Sequence, residues 1–390
     1  MEPAADIDSI VIAKINRFWR YLYIIFGLRI SGDSTHIKPN RLTTCYFAVI
    51  AGLITFSNVT LLTLAFLQPH TDEIYILCLV MIMLSTWIES TLCLVILYKR
   101  QDEISHYLRE ILSSVDAKCR NKIWRCLLLS SISLWIILSV SSAAEIKQNE
   151  TFSGRIVDVS VVHLTAEFCW WLITHLLLGS SKILFIHFCH LLKIHFESLA
   201  ADVEHCAVTD EDILVYQTRF HGLVEWVNKV NSMFDPLLAV YNAGDLVLIS
   251  FTMRLLLFNT DHVSAYTLPL IRELLVFFIT FSYAANVQSK AEFCAMKITK
   301  VTYSKKKALS SVILSENIID NWNYQMSIYQ MSLTSVGINI SGFYTISKGS
   351  ILTVLATLLT YTIVLFQTSG TKLLAVNINS TLNGLDHHNF

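Results

Sequence analysis

The chain has 390 residues, of which 54% are hydrophobic and only 15% charged, and its mean hydropathy is +0.53. A water-soluble globule of that length must cover a large surface with polar groups, so this composition excludes one and points to a protein solvated by a bilayer. The formal net charge of −1 says little as a sum, because the charges are segregated along the chain.

Gly and Pro are scarce, at 12 and 5, which favours long helices and an all-α fold. A polar, basic segment precedes the first apolar run, so no cleavable signal peptide is expected. Within it, residues 10–30 carry basic side chains at 14, 17, 20 and 29 among Trp, Tyr and Ile. That pattern predicts an amphipathic helix lying near the inner leaflet. A bilayer core requires about 20 mostly apolar residues in a helix. Seven stretches qualify: Leu42–Leu67, Ile74–Tyr98, Ile123–Ala144, Ile156–Ser180, Leu237–Phe258, Thr267–Val287 and Ser350–Gln367. The fourth and fifth contain His163, Glu167, Asp245 and Arg254, and the fourth continues apolar through Ile183–Leu192. The predicted fold is therefore a polytopic membrane protein with seven transmembrane helices. Its organisation is a cytosolic segment 1–41, helices one to six over 42–290 with cytosolic extensions, a cytosolic anchor 291–349, a last helix 350–367 and a tail 368–390.

Lys and Arg set the orientation. They cluster before span one, at 99, 100, 109, 118, 120, 122 and 125, at 182, 193, 219 and 229, and from Lys290 to Lys307 with Lys348. The opposite side has Lys147, Arg155 and Lys372. The basic side is the cytoplasmic one, which puts the N-terminus in the cytosol and the C-terminus outside. Sequons at Asn149 and Asn379 fall on the outer side, as glycosylation requires, whereas those at Asn58 and Asn339 fall where no glycan reaches. None of the nine cysteines lies in an outer segment, so no disulfide framework is implied.

Seven spans suggest a G-protein-coupled receptor, but the charge pattern is inverted for that class and its sequence marks are missing. A transporter would show internal repeats or Gly/Pro-broken helices, and neither is visible. There is no Gly-rich phosphate loop, nucleophile elbow or HExxH, so no enzyme, cofactor or metal site is expected. His187, Cys189, His190 and His195 look like a metal cluster but do not complete a ligand set. Lys305–Lys307 reads as a solvated or lipid-facing charge run, and His387–His388 as an inert tail.

Span seven holds Thr360-Tyr361-Thr362-Ile363-Val364-Leu365-Phe366-Gln367. It resembles the seventh-helix signature of the insect gustatory receptors: Thr-Tyr, five hydrophobics, Gln-Phe. Val227–Phe234 leading into Leu237-Leu238 also looks like that family's entry to span five. The family's terminal Phe is Thr368 here. The resemblance implies a ligand-gated, non-selective cation channel passing Na, K and Ca. It implies a homo- or hetero-tetramer with related subunits, in the plasma membrane of a sensory neuron, opened by a small-molecule tastant. Membrane lipid is the surroundings and no nucleic acid is a partner. An odorant-receptor-like channel subunit of the same superfamily is the alternative, as is a metabotropic or accessory seven-helix receptor without its own pore.

Ser350, Thr353, Thr357, Thr360, Val364 and Gln367 recur on one face of span seven. Such a stripe suits a shared pore closed by symmetry or helix–helix packing. Gln367 at the outer end and the resemblance favour the pore, with Val364 and Gln367 as gate candidates and Thr368 beside them. Intramembrane ionisable groups are costly and usually functional. His163 and Glu167 share a helix face, and Arg254, Arg272 and Glu273 lie in the outer halves of their spans. Trp135, Phe251 and Phe277 are candidate apolar walls of the same ligand pocket. The competing reading pairs Arg254 with Glu273 and His163 with Glu167 as structural bridges. Epitope tags at the two termini should stain oppositely in unpermeabilised cells; surface staining of an N-terminal tag would overturn the charge argument.

Overall fold

The computed structural model describes residues 3–30, 41–67, 73–115, 119–133, 135–137, 170–205, 210–258, 263–310, 336–340, 344–364 and 367. Among them the chain is helical throughout, apart from one small hairpin. The helices are α1 (Pro3–Ile24), α2 (Arg41–Leu67), α3 (Glu73–Ser113) and α4 (119–133, with 135–137 beyond). A six-residue π-helical turn, Trp170–His175, leads into α5 (Leu176–His205), followed by α6 (Asp210–Phe258) and α7 (Val263–Ser310). Strands β1 (Asn339–Ile340) and β2 (Tyr344–Thr345) pair antiparallel, and α8 (Lys348–Val364) closes the described chain.

Among the described residues, five helical segments are long and apolar enough to cross a membrane: Thr44–Thr63, Tyr75–Ser113, Ile173–Glu204, Ile213–Leu257 and Tyr266–Thr302. This is the architecture of a multi-pass membrane protein. α8 is a shorter apolar helix. Residues 138–169 lie outside the described set, so only parts of the expected third and fourth spans are seen. Three helices run far past their expected spans, at 41, 49 and 48 residues for α3, α6 and α7. At 1.5 Å per residue, α6 is about 70 Å long, more than twice the ~30 Å of a bilayer core. Ion pairs tie the surplus lengths together: Arg219 to Asp202 at 2.9 Å, Lys290 to Glu197 at 2.9 Å, and Lys297 to Glu204. Trp226 donates to Glu110 at 3.0 Å.

α5 is the central helix, since every residue of its apolar window is buried inside the protein. α3, α6 and α7 all pack on it. α1 joins this core rather than resting only at a lipid surface, as its charge pattern suggested. Val11, Ile15, Trp19 and Tyr23, four residues apart, form a buried stripe, while Lys14, Arg17 and Arg20 are exposed. Trp19 lies 5.6 Å from the His187 ring, and the Tyr23 hydroxyl donates to the Ser180 carbonyl at 3.1 Å. Burial pushes the Tyr23 phenol well above its ordinary pKa, so it stays a donor. The Tyr23 hydroxyl finds in this groove a partner that hydrocarbon cannot supply, whereas the Trp19 Nε1–H has no hydrogen bond among the described residues. Asn58, buried in α2, donates to the Ile54 carbonyl at 2.7 Å.

Three residues past the end of α1, Gly27 has a φ of +71° and lets Leu28 N–H reach the Tyr23 carbonyl at 3.0 Å. A Cβ at Gly27 would stand 3.1 Å from the Phe47 nitrogen. Gly27→Ala should therefore cost about 1–2 kcal/mol from the left-handed backbone alone. Gly52→Ala in α2, where a Cβ meets nothing within 4 Å, should be neutral or stabilising by up to ~1 kcal/mol. Thermal melting of the two detergent-solubilised variants checks the contrast; equal melting points would refute it.

Candidate functional site

The π-helical turn at Trp170–His175 widens the backbone just where α5 begins to carry polar residues; such turns are frequent at functional sites. Thr174 and His175 of the turn, and Ser180, Ser181 and Lys182 after it, are all buried. Lys182 Nζ donates to Asp245 Oδ1 of α6 at 2.6 Å and lies 3.6 Å from Glu89 Oε1 of α3. The side chains of Lys182, Asp245 and Glu89 are 5%, 2% and 2% exposed. The ammonium also stands 5.2 Å from the centre of the Tyr241 ring. Cys93 Sγ lies 3.3 Å from Ser181 Oγ and 3.6 Å from the Tyr241 hydroxyl.

Glu89 reaches this position because Gly244 of α6 has no side chain; a Cβ there would be 2.5 Å from Glu89 Oε2. Neither oxygen of Glu89 has a hydrogen bond among the described residues. On α7, Arg272 pairs with Glu273 at 2.9 Å, both largely buried. Glu273 acts electrostatically on Lys182 and Asp245, and Arg272 on His175. Four helices thus meet around two cations and three carboxylates, removed from water. Such groups repay their desolvation only when paired closely. This cluster can hold α3, α5, α6 and α7 in one register and can answer a polar ligand that competes for one of its partners.

The structure places the sequence candidates unevenly. Arg272 and Glu273 belong to the cluster, and Phe277 is fully buried, stacked on Phe281 at 4.2 Å. Phe251 and Arg254 are partly buried on α6. Glu273, which the competing reading paired with Arg254, accepts from its chain neighbour Arg272 at 2.9 Å. Trp135 is 39% exposed and stands next to residues outside the described set. His163, Glu167, Asn149, Asn379 and Thr368 lie outside the described residues. Lys182 was expected as a cytosolic flank charge; it is instead the buried centre of the cluster, since it follows Ser180 by two residues on a helix wrapped by protein. Glu89 was not singled out, although it is the one carboxylate in the apolar run 74–98.

Among the described residues no group of three or more His, Cys, Asp or Glu is arranged for a metal. His190 packs edge-on to Tyr283 at 6.1 Å, and His195 stands 3.2 Å from the Ile111 carbonyl, so the histidines serve helix packing. All described cysteines are free.

α8 touches the bundle along a narrow face. Leu358 is buried and Ile351 and Val354 pack against the core. Thr353, Thr357, Thr360, Val364 and Gln367 are exposed, as are Leu352, Leu355, Leu359 and Ile363. Thr353, Thr357 and Thr360 donate to carbonyls four residues back, at 3.1, 2.9 and 2.8 Å. Their protons are satisfied within the helix, which leaves acceptor oxygens facing outward.

No family model and no curated protein sequence matches the chain. Solved structures do. The insect olfactory receptor OR5 from Machilis hrabei has a TM-score of 0.67 at 14% identity, over 92% of this chain and 99% of that one. The same receptor in complex with eugenol gives 0.66 at 14% identity, over 90% and 98%. The chain is therefore a multi-pass helical membrane protein with the fold of an insect olfactory receptor.

Removing the ammonium while keeping the carboxylates should be costly. Lys182→Met leaves two buried acids uncompensated and should lose about 3–5 kcal/mol of stability. The triple variant Lys182→Met, Glu89→Gln, Asp245→Asn should recover much of it. Thermostability of solubilised protein by fluorescence-detected size exclusion measures both; a single variant that melts like the wild type would show the cluster to be energetically idle.

Proposed function

We propose that this protein is a chemoreceptor subunit: a ligand-gated, non-selective cation channel of gustatory type, opened by a small-molecule tastant. One observation carries the reading. In a chain that shares its fold over 92% of its length with an insect olfactory receptor, the last helix leaves a row of threonine oxygens uncovered. A hydroxyl row on a membrane helix needs water, ions or another polar helix opposite it. Repetition around a symmetric ring supplies the first two. The apolar face with Leu352, Leu355, Leu359 and Ile363 would then meet a neighbouring subunit or lipid. Four subunits, a cytosolic N-terminus and an outer C-terminus complete the reading, with surplus helix lengths and their ion pairs as the intracellular anchor.

The ligand pocket belongs in the outer half, with His163, Glu167, Phe251, Arg254, Arg272, Glu273 and Phe277 as the residues to test. The comparison receptor's complex with eugenol supports a small organic ligand as the class. A sensory-neuron plasma membrane is the corresponding location, with Asn149 and Asn379 as outer glycosylation sites.

The pore is tested by ion selectivity. Gln367→Glu should raise divalent permeability and Gln367→Lys suppress cation current, because a ring charge acts on ions directly. Val364→Ser should leak without ligand, since wetting an apolar constriction lowers the barrier to opening. Leu355→Ala, off the stripe, should leave selectivity unchanged. Reversal potentials under biionic conditions decide the matter: unchanged ratios across conducting Gln367, Val364 and Thr360 variants would mean that α8 does not line the pore.

A further inference from the structure

α6 carries Pro236 inside its length. Proline has no N–H, so the carbonyl four residues back loses its ladder bond and the helix is weakened there. That carbonyl belongs to Ser232, and Arg100 of α3 donates to it instead. The β-hairpin touches α6 on both sides of this break. Below it, the Asn339 backbone N–H donates to Asn231 Oδ1 at 2.9 Å; above it, the Tyr344 hydroxyl donates to Asn242 Oδ1 at 3.3 Å. The two asparagines are about three helical turns apart and so share one face of α6.

The hairpin is built to move as a unit. Ile346 N–H donates to the Ile338 carbonyl at 2.8 Å and Thr345 Oγ1 to Asn339 Oδ1 at 2.6 Å. Val336, Ile338, Ile340 and Ile346 are buried, and a Cβ on Gly337 would meet Thr345 Cγ2 at 2.6 Å. One residue later α8 starts in a reciprocal cap. Ser350 N–H donates to Ser347 Oγ at 3.1 Å and Ser347 N–H to Ser350 Oγ at 2.8 Å, the geometry that fixes a helix to what precedes it. Burial raises the Tyr344 phenol pKa, which keeps it a donor.

We propose that the hairpin is a brace across the Pro236 break, and that Asn231, Asn242 and Tyr344 are positioning residues that set α8 according to the bend of α6. The turn above the break is also held by the charge cluster. Asp245 binds Lys182, Tyr241 lies under the same ammonium, and Gly244 takes Glu89. A shift of that turn by a change at the cluster is delivered through Tyr344 to α8. This rests on the channel reading for its purpose, but not for its test.

The test is hydrogen–deuterium exchange of the full chain in nanodiscs, followed in peptides covering residues 351–364. Tyr344→Phe and Asn242→Ala should each raise exchange there several-fold while α3 and α5 keep theirs. Asn242→Asp retains the acceptor and should restore the wild-type rate. Glu89→Gln, or Asp245→Asn if that variant is poorly folded, should change α8 exchange at least twofold in the wild-type background and leave it unchanged in Tyr344→Phe. Additive effects of the cluster and Tyr344 variants, or α8 exchange indifferent to both, would overturn the brace. Neither result touches the channel reading, which stands or falls on reversal potentials.

Discussion

The structure depends on one ammonium group. α5 is wrapped by protein along its whole apolar window, and Lys182 sits inside that wrapping with Asp245 at 2.6 Å and Glu89 at 3.6 Å. A cation so far from water holds its place only if its counter-charges come from the helices around it. The pairing therefore dictates which faces of α3 and α6 turn toward α5 and demands a glycine at 244 for Glu89 to approach. Hydrophobic burial supplies most of the attraction between these helices, but apolar faces slide with little change in energy. The ionic contacts do not, and they define the register.

The same economy of polar contacts governs the length of α6. A helix of 49 residues serves two environments, and Pro236 lies between the half that carries the ion pairs of the surplus region and the half that carries Asp245. Ser232's freed carbonyl is taken by Arg100, and the asparagines flanking the break are taken by the hairpin. The places where the backbone ladder is weak are thus the places where side chains from other elements attach.

Much of this was legible before any coordinates, for a physical reason. Apolar length is a strong signal, and the positions of α2, α3, α6 and α7 follow from it. Hydropathy counts a lysine as an interruption, however, and so treated Lys182 as the edge of a span. Only knowledge of its partners on two other helices makes it a core residue. Glu89 sent the right signal, a lone acid in an apolar run, yet it is no more conspicuous than Glu167 or Asp245 without a map of which faces meet. Arg254 and Glu273 could be paired because their spans are adjacent, but nothing in the sequence signals that Glu273 accepts from its own neighbour Arg272. The hairpin was not legible at all: strands of two residues have no periodicity to detect, and Val336, Ile338 and Ile340 read equally well as loop. For α1 the charge pattern identified an amphipathic helix, but the surface that its buried stripe meets is a tertiary fact.

α8 is the element whose solvation a single chain leaves incomplete. α5 is buried along its whole apolar window, while α2, α3, α6 and α7 bury only a minority of theirs within the chain and leave the rest as apolar surface that lipid can cover. α8 has a packed edge at Ile351, Val354 and Leu358, an apolar face at Leu352, Leu355 and Leu359, and a hydroxyl face at Thr353, Thr357 and Thr360. Lipid satisfies the second of these faces but gains nothing from the third. Because each threonine proton is already bonded within the helix, that face costs little in isolation, so the helix folds without a partner. Its outward oxygens are acceptors without competing donors, a surface that favours cations and water over anions. On the proposed channel reading, a helix cheap to leave uncovered and selective once ringed suits a wall assembled only when subunits meet, and the capped start of α8 would hold such a wall at a set angle.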